Sequence, residues 1–161
     1  MHVWFGDAEI KKYITFILSV LNNKKGWNFG LPWILTENEE ESNWKIFLKQ
    51  PSEIKRSGGS ENLSVTFMGK FPRVTYFNFK NWFEVPIKLK DYTLKDYRTY
   101  LVLHEFGHAL CNYNGHPNNS KTLLAPIMSQ QTKGLRNGQK KNIWPLKYEK
   151  ARCENVNNVN F

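Results

Sequence analysis

The sequence predicts a single α+β domain over residues 1–161: a mixed, twisted sheet, a helix backing it, a second helix of about 94–111 that carries the candidate site, and an irregular C-terminal part. Three observations carry this prediction. Apolar stretches follow one another in the order strand, helix, about four strands, helix. No internal repeat and no linker divides the chain. Apolar residues reach 40% and aromatics 15%, which suffices for a core that needs no staples at this length.

"HVWF" (2–5) reads as a first or edge strand. A helix is expected over 7–23, with Asp7 as its cap and Ile10, Ile14, Ile17, Leu18 and Leu21 on one face. Gly26 stops it. "LPWILT" (31–36) reads as a strand, "ENEEES" (37–42) as a solvated acidic turn and "WKIFLKQ" (44–50) as an alternating strand. Ser and Gly mark 51–62 as a flexible loop. "LSVTFMG" (63–69) and "RVTYFNF" (73–79) are two further strands parted by Gly69 and Pro72, and 81–92 is a connection. Residues 93–111 form the strongest helix, with Thr93 as its cap and Asp96 placed well for the helix dipole. Beyond Cys111, Asn, Gly, Pro and Ser take over and little regular structure is expected to the C-terminus.

A net charge of +9 raises the question of an acidic partner such as nucleic acid or a membrane surface. Lys and Asn are spread along the whole chain, with no arginine-rich cluster and no aromatic-basic interleaving, so the charge reads as compositional drift. The longest apolar run, "ITFILSVL", is far too short to span a bilayer, and no membrane partner is expected. Two cysteines do not make a disulfide framework, and the N-terminus lacks a basic segment followed by an apolar one. A reducing, cytoplasmic or intracellular setting and a monomeric state are the expectations.

Chemistry concentrates in "HEFGHALCNYNGH" (104–116). His104 and His108 are four apart on a helix, so both imidazoles leave one face and can share one zinc ion. Glu105 is placed to hold a metal-bound water without ligating the metal, the arrangement of a metal-activated hydrolase. His116 is the natural third ligand, since the only other histidine, His2, is remote in sequence. Asn114–Gly115 suits the turn needed to bring it back. Glu149 and Glu154 are the competing third ligands. Cys111 lies on nearly the same face and is expected as a buried, unligated thiol, although as a ligand it would close the shell. "APIMSQQTKG" (125–134) reads as a tight turn ending in Met128, downstream of the ligands.

These residues together resemble the metzincin clan of zinc metallopeptidases: HExxH on a helix, a histidine after a short glycine turn, then a methionine-bearing turn. A nearer likeness is to an uncharacterised domain family, found mostly in secreted or anchored actinobacterial proteins, with an HExGH…GH…APVM-QQT-G pattern. "GW" at 26–27, "NFKNWFEVP" at 78–86, "YRTYLVLHEFGHAL" at 97–110, "APIMSQQTKGL" at 125–135 and "NIWP" at 142–145 recur there in the same order. The resemblance implies a zincin/metzincin-like fold whose C-terminal part carries a Met-turn. It implies His104, His108 and His116 as zinc ligands, Glu105 as general base and Met128 as a hydrophobic floor. It also implies hydrolysis of a protein or peptide substrate by Glu-activated zinc-bound water, with "SQQTKG" lining the pocket beside the scissile bond.

Two positions depart from the metzincin pattern. Cys111 stands where a glycine is usual, and the third histidine is displaced by two residues. The relatives carry additional cysteines and export signals that this sequence does not show. The alternative reading is a non-catalytic zinc module, closed by Cys111, whose basic surface binds an acidic partner. A peptidase fold that has lost activity and serves binding is a third.

Overall fold

Alternation in "WKIFLK" makes the central strand of the molecule, because it buries Trp44, Ile46 and Leu48 on one face and leaves Lys45, Phe47 and Lys49 half-exposed on the other. The computed structural model describes residues 1–27, 29–116 and 122–160, with 156–160 given by backbone alone. Five strands form one mixed sheet: β1 (His2–Phe5), β2 (Ile34–Leu35), β3 (Trp44–Lys49), β4 (Val65–Phe67) and β5 (Arg73–Asn78), in the spatial order β2-β1-β3-β5-β4. β1 runs parallel to β2 and β3, β3 parallel to β5 from Trp44↔Arg73 to Lys49↔Asn78, and β4 antiparallel to β5 along one edge.

The expected helix over 7–23 is two helices, α1 (Ala8–Lys11) and α2 (Ile14–Leu21), with Tyr13 leaving the helical region between them at φ −111°. Asp7 caps α1 by accepting the Ile10 N–H at 2.9 Å, and its second oxygen accepts the Leu48 N–H at 2.7 Å, which ties the helix entry to β3. The break shifts the phase of the apolar face. Ile10, Ile17, Val20 and Leu21 are buried, while Ile14 and Leu18 are only half-buried.

Two segments expected to be irregular are helical. α3 (Pro51–Arg56) starts inside the predicted loop, with Pro51 in its first turn and a capping box in which the Gln50 N–H donates to Glu53 at 2.9 Å. α4 (Phe79–Phe83) overlaps the predicted connection and is capped by Asn78. The acidic turn is the exposed 3₁₀ turn Glu39–Glu41. The strand expected over 31–36 shrinks to two residues.

α5 (Leu94–Leu110) agrees with prediction to its cap: the Thr93 hydroxyl accepts from Asp96 N–H and Asp96 accepts from Thr93 N–H, both at 3.0 Å. The C-terminal part is not irregular throughout, because α6 (Lys147–Asn160) closes the chain. Its Asn-rich sequence has low helix propensity, and the helix is held by tertiary contacts instead.

The main core lies between the sheet and α2 and α5. Trp44 stacks on Phe106 of α5 at 4.2 Å, and Trp33 meets both edge-on at 5.6 and 5.2 Å. The Trp27 indole N–H donates to Leu103 O at 2.7 Å, which satisfies that side chain's only polar atom. This packing fixes α5 against the sheet and sets Glu105 within hydrogen-bond reach of edge strand β4. No helix of the described residues is long and apolar enough to cross a membrane.

Candidate metal centre

The side chains of His104, His108 and His116 present ring nitrogens that lie within 4.8 Å of one another. His104 Nε2 is 3.2 Å from both His108 Nε2 and His116 Nε2. Tetrahedral zinc with nitrogens at roughly 2.0–2.1 Å sets neighbouring ligands about 3.3 Å apart, so the triad matches that geometry. The tautomers are fixed by acceptors that can only accept. His104 Nδ1–H donates to Ile127 O and His108 Nδ1–H to Tyr113 O, each at 2.7 Å, leaving both Nε2 lone pairs toward the third histidine. All three rings are kept neutral. Burial, then the neighbouring His108, depress His104; burial depresses His108; and burial, then His108 and Lys133, push His116 down to about 4.

His116 returns to the helix by a turn other than the expected one. α5 ends on Cys111, Asn112 takes the left-handed conformation at φ 51°, and Tyr113 N–H closes onto His108 O at 2.9 Å. Gly115 has no positive φ and an added Cβ there would meet only open space, so the turn rests on Asn112.

Cys111 is not a free thiol. It is bonded to Cys153 across a separation of 42 residues, joining the end of α5 to α6. That corrects the expected unligated thiol and removes the cysteine argument for a reducing setting. It also takes away the thiolate that a closed His/Cys zinc shell would need. Glu149 is not a ligand either. Its buried carboxylate accepts Ile127 N–H at 3.1 Å, Met128 N–H at 2.9 Å and Leu146 N–H at 2.9 Å. Glu154 is exposed and stands outside the cluster.

The turn at Met128 is thus pegged from α6, and its place against α5 depends on Gly107. A Cβ at Gly107 would run into Met128 Sδ and come within 3.0 Å of the Trp27 ring. Tyr100 ties the same turn to α5, donating to Ser129 O at 3.0 Å and accepting from Gln131 N–H at 2.9 Å. Of the segment expected to line a pocket, Gln130 reaches the histidines, its Nε2 3.1 Å from His116 Nε2. Gln131 does not: it is buried, with its amide donating to Pro126 O at 2.9 Å and accepting the Tyr92 hydroxyl.

Glu105 is buried beside the triad and outside it, in a cleft it shares with His108, His116, Gln130 and β4. Burial pushes its carboxyl up to about 8, against the pull of the Thr66 hydroxyl. That hydroxyl donates to Glu105 Oε2 at 3.1 Å, and the chain runs further back: Trp44 N–H donates to Thr75 at 2.9 Å, and Thr75 and Thr66 share a bond at 2.8 Å. Since the indole can only donate, the hydroxyl protons all point toward the carboxylate. Nothing in the local sequence marks Thr66 or Thr75. Their alignment on neighbouring strands was the only available signal.

The arrangement offers three neutral nitrogens to a metal and a carboxylate held apart from them, in an open cleft. Over residues 3–160 the chain matches the family described as Protein of unknown function (DUF3152), and it belongs to that family. No curated protein and no solved structure matches it.

Proposed function

We propose that the chain is a zinc-dependent, metzincin-like peptidase that hydrolyses peptide bonds with a water activated by Glu105. The convergence of three neutral Nε2 atoms beside a carboxylate outside the ligand set carries the reading. Zinc held by His104, His108 and His116 supplies a Lewis acid for the scissile carbonyl and lowers the pKa of water. A cation there also favours the ionised form of Glu105, the form a general base needs. Thr66 holds Glu105 Oε2, and Oε1, which makes no hydrogen bond among the described residues, takes the proton of the water and passes it to the leaving amine. The antiparallel edge strand β4 lines the cleft and offers backbone groups to an extended chain, which favours a protein or peptide substrate. The Cys111–Cys153 bond favours work in an oxidising compartment. It also speaks against the closed zinc module.

Metal content by mass spectrometry, read beside cleavage of a quenched-fluorescent peptide mixture, tests the reading. Wild type and Glu105→Gln should each hold stoichiometric zinc, and His116→Ala should lose it. Glu105→Gln should cost about 10²–10⁴-fold in turnover. Zinc-free protein after reconstitution, or full turnover without Glu105, would end the proposal.

A further inference from the structure

Beside His116 the structure has a second cavity of about 230 Å³, which Glu105 does not line. His116, Ser129, Gln130, Lys133, Arg136 and Gln139 line it. Its wall belongs to "SQQTKGLRNGQKK" (129–141), which contains four cations and no carboxylate. Only Lys141 of the four is neutralised, by Asp96 at 2.9 Å. Among the described residues Lys133, Arg136 and Lys140 form no ion pair. The path of the wall brings cations close. Gly134 sits at φ 104° and packs on the Lys88 side chain, where an added Cβ would be 3.2 Å from Cδ. The remaining polar lining carries no charge of its own: Ser129, whose hydroxyl donates to Pro126 O at 2.7 Å, and the amides of Gln130 and Gln139.

A cavity of this size takes one side chain or chain end and not a nucleic-acid duplex, and it opens next to the metal ligands. We propose that it binds a carboxylate of the substrate within a residue or so of the scissile bond, through Lys133 and Arg136. The charge excess that composition alone reads as drift then serves substrate choice at this wall. The inference rests on the peptidase reading of the adjoining site and names its substrate class: acidic peptides. The carboxylate has two sources, an Asp or Glu side chain or a free C-terminus.

The test measures binding to metal-free protein by titration calorimetry at low salt, so that it does not depend on turnover. The probes are the pentapeptide acetyl-Ala-Ala-Glu-Ala-Ala-amide, its Gln counterpart, and acetyl-Ala-Gln-Ala with a free C-terminus. The Glu peptide should bind about five- to tenfold more tightly than the Gln peptide, the range two exposed ion pairs give. The ratio should fall to about one in Lys133→Ala/Arg136→Ala and in high salt. Tighter binding of the free-acid tripeptide than of the Glu peptide would support the chain-end form of the proposal. Equal binding of Glu and Gln peptides by wild type overturns it, as does a preference that survives the double substitution. So does a single-stranded oligonucleotide that displaces the Glu peptide and loses its own binding in the double variant, which would give the cations to nucleic acid. Failure of the peptidase reading shows separately, as absence of zinc uptake and cleavage.

Discussion

Gln130 turns its amide to His116, whereas Gln131, next to it with the same side chain, is buried and bridges Tyr92 to the Pro126 carbonyl. The two substitutions to alanine should therefore separate. Gln131→Ala strands buried partners and should lower unfolding free energy by roughly 1–3 kcal/mol in denaturant melts. Gln130→Ala removes an exposed contact and should leave stability within about 0.5 kcal/mol. Because Gln130 lines the cleft with Glu105 and His116, its loss should show in turnover instead, as a lower kcat. An unchanged melt for the first, or unchanged turnover for the second, would undo that division. Residue by residue, the legible part of the site was the local part. His104, Glu105 and His108 are one helical turn of a strong helix, so spacing alone places them together. Thr66 and Thr75 were not legible, and Glu149 was legible only as a candidate ligand and not as the acceptor that holds the turn at Met128, because each acts on the site from another element across a long stretch of chain. Gly107 and Asn112 lay in plain view inside the motif. Their roles follow from packing against Met128 and from a left-handed turn, which no residue pattern announces.

α6 is the element whose absence from the sequence prediction matters most. Polar, Asn-rich composition argues against a helix, yet Glu149 and Cys153, one turn apart, bury the face that docks on the end of α5 and the Met-turn. α3, by contrast, was readable from Pro51 and Glu53, but the following Ser-Gly run obscured it. Through α6 a load path reaches the histidine cluster: Glu149 accepts Ile127 N–H, and Ile127 O accepts His104 Nδ1–H. Glu149→Gln keeps the volume but turns an amide N–H₂ toward backbone donors. It should lower the melting temperature and weaken zinc binding about 10–100-fold, the range for partners that orient a ligand. The Cys111→Ala/Cys153→Ala pair acts differently. Opening a 42-residue loop should cost about 4 kcal/mol in the chain-entropy account, with a smaller change in zinc affinity because no ligand's hydrogen bond is touched. Zinc titrations that rank the two variants the other way would show that α6 acts through the disulfide and not through Glu149.

For the molecule as a whole, the metal-free site should shape stability against pH, and the sign differs between its two kinds of group. The three histidines are depressed in the folded state, so below the ordinary value of 6.5 the unfolded chain binds more protons and stability falls as pH falls. Glu105 is raised from 4.5 to about 8, so over that interval the folded chain keeps a proton that the unfolded chain has released, and stability falls as pH rises. Burial raises Glu149 as well, in the same sense. Between 4.5 and 6.5 the two effects oppose each other. From 6.5 to 8 the histidines are neutral in both states and Glu105 acts against folding, by at most about 2 kcal/mol at 1.36 kcal/mol per unit. The metal-free protein should therefore melt highest near pH 6.5 and lose roughly 4–8 °C by pH 8. Glu105→Gln should abolish the Glu105 share of that alkaline loss, leaving only what Glu149 adds, and should keep the acid limb, which belongs to the histidines. Zinc should abolish it too, because a cation at the three nitrogens draws the Glu105 pKa back down, and zinc-loaded protein should hold its melting temperature through pH 8. An alkaline loss that persists undiminished in Glu105→Gln would give it to the other raised carboxylate, Glu149, and not to Glu105. One that persists after zinc uptake would mean that the bound ion and Glu105 do not feel each other's charge, and the Glu105 role in the proposed chemistry would go with it.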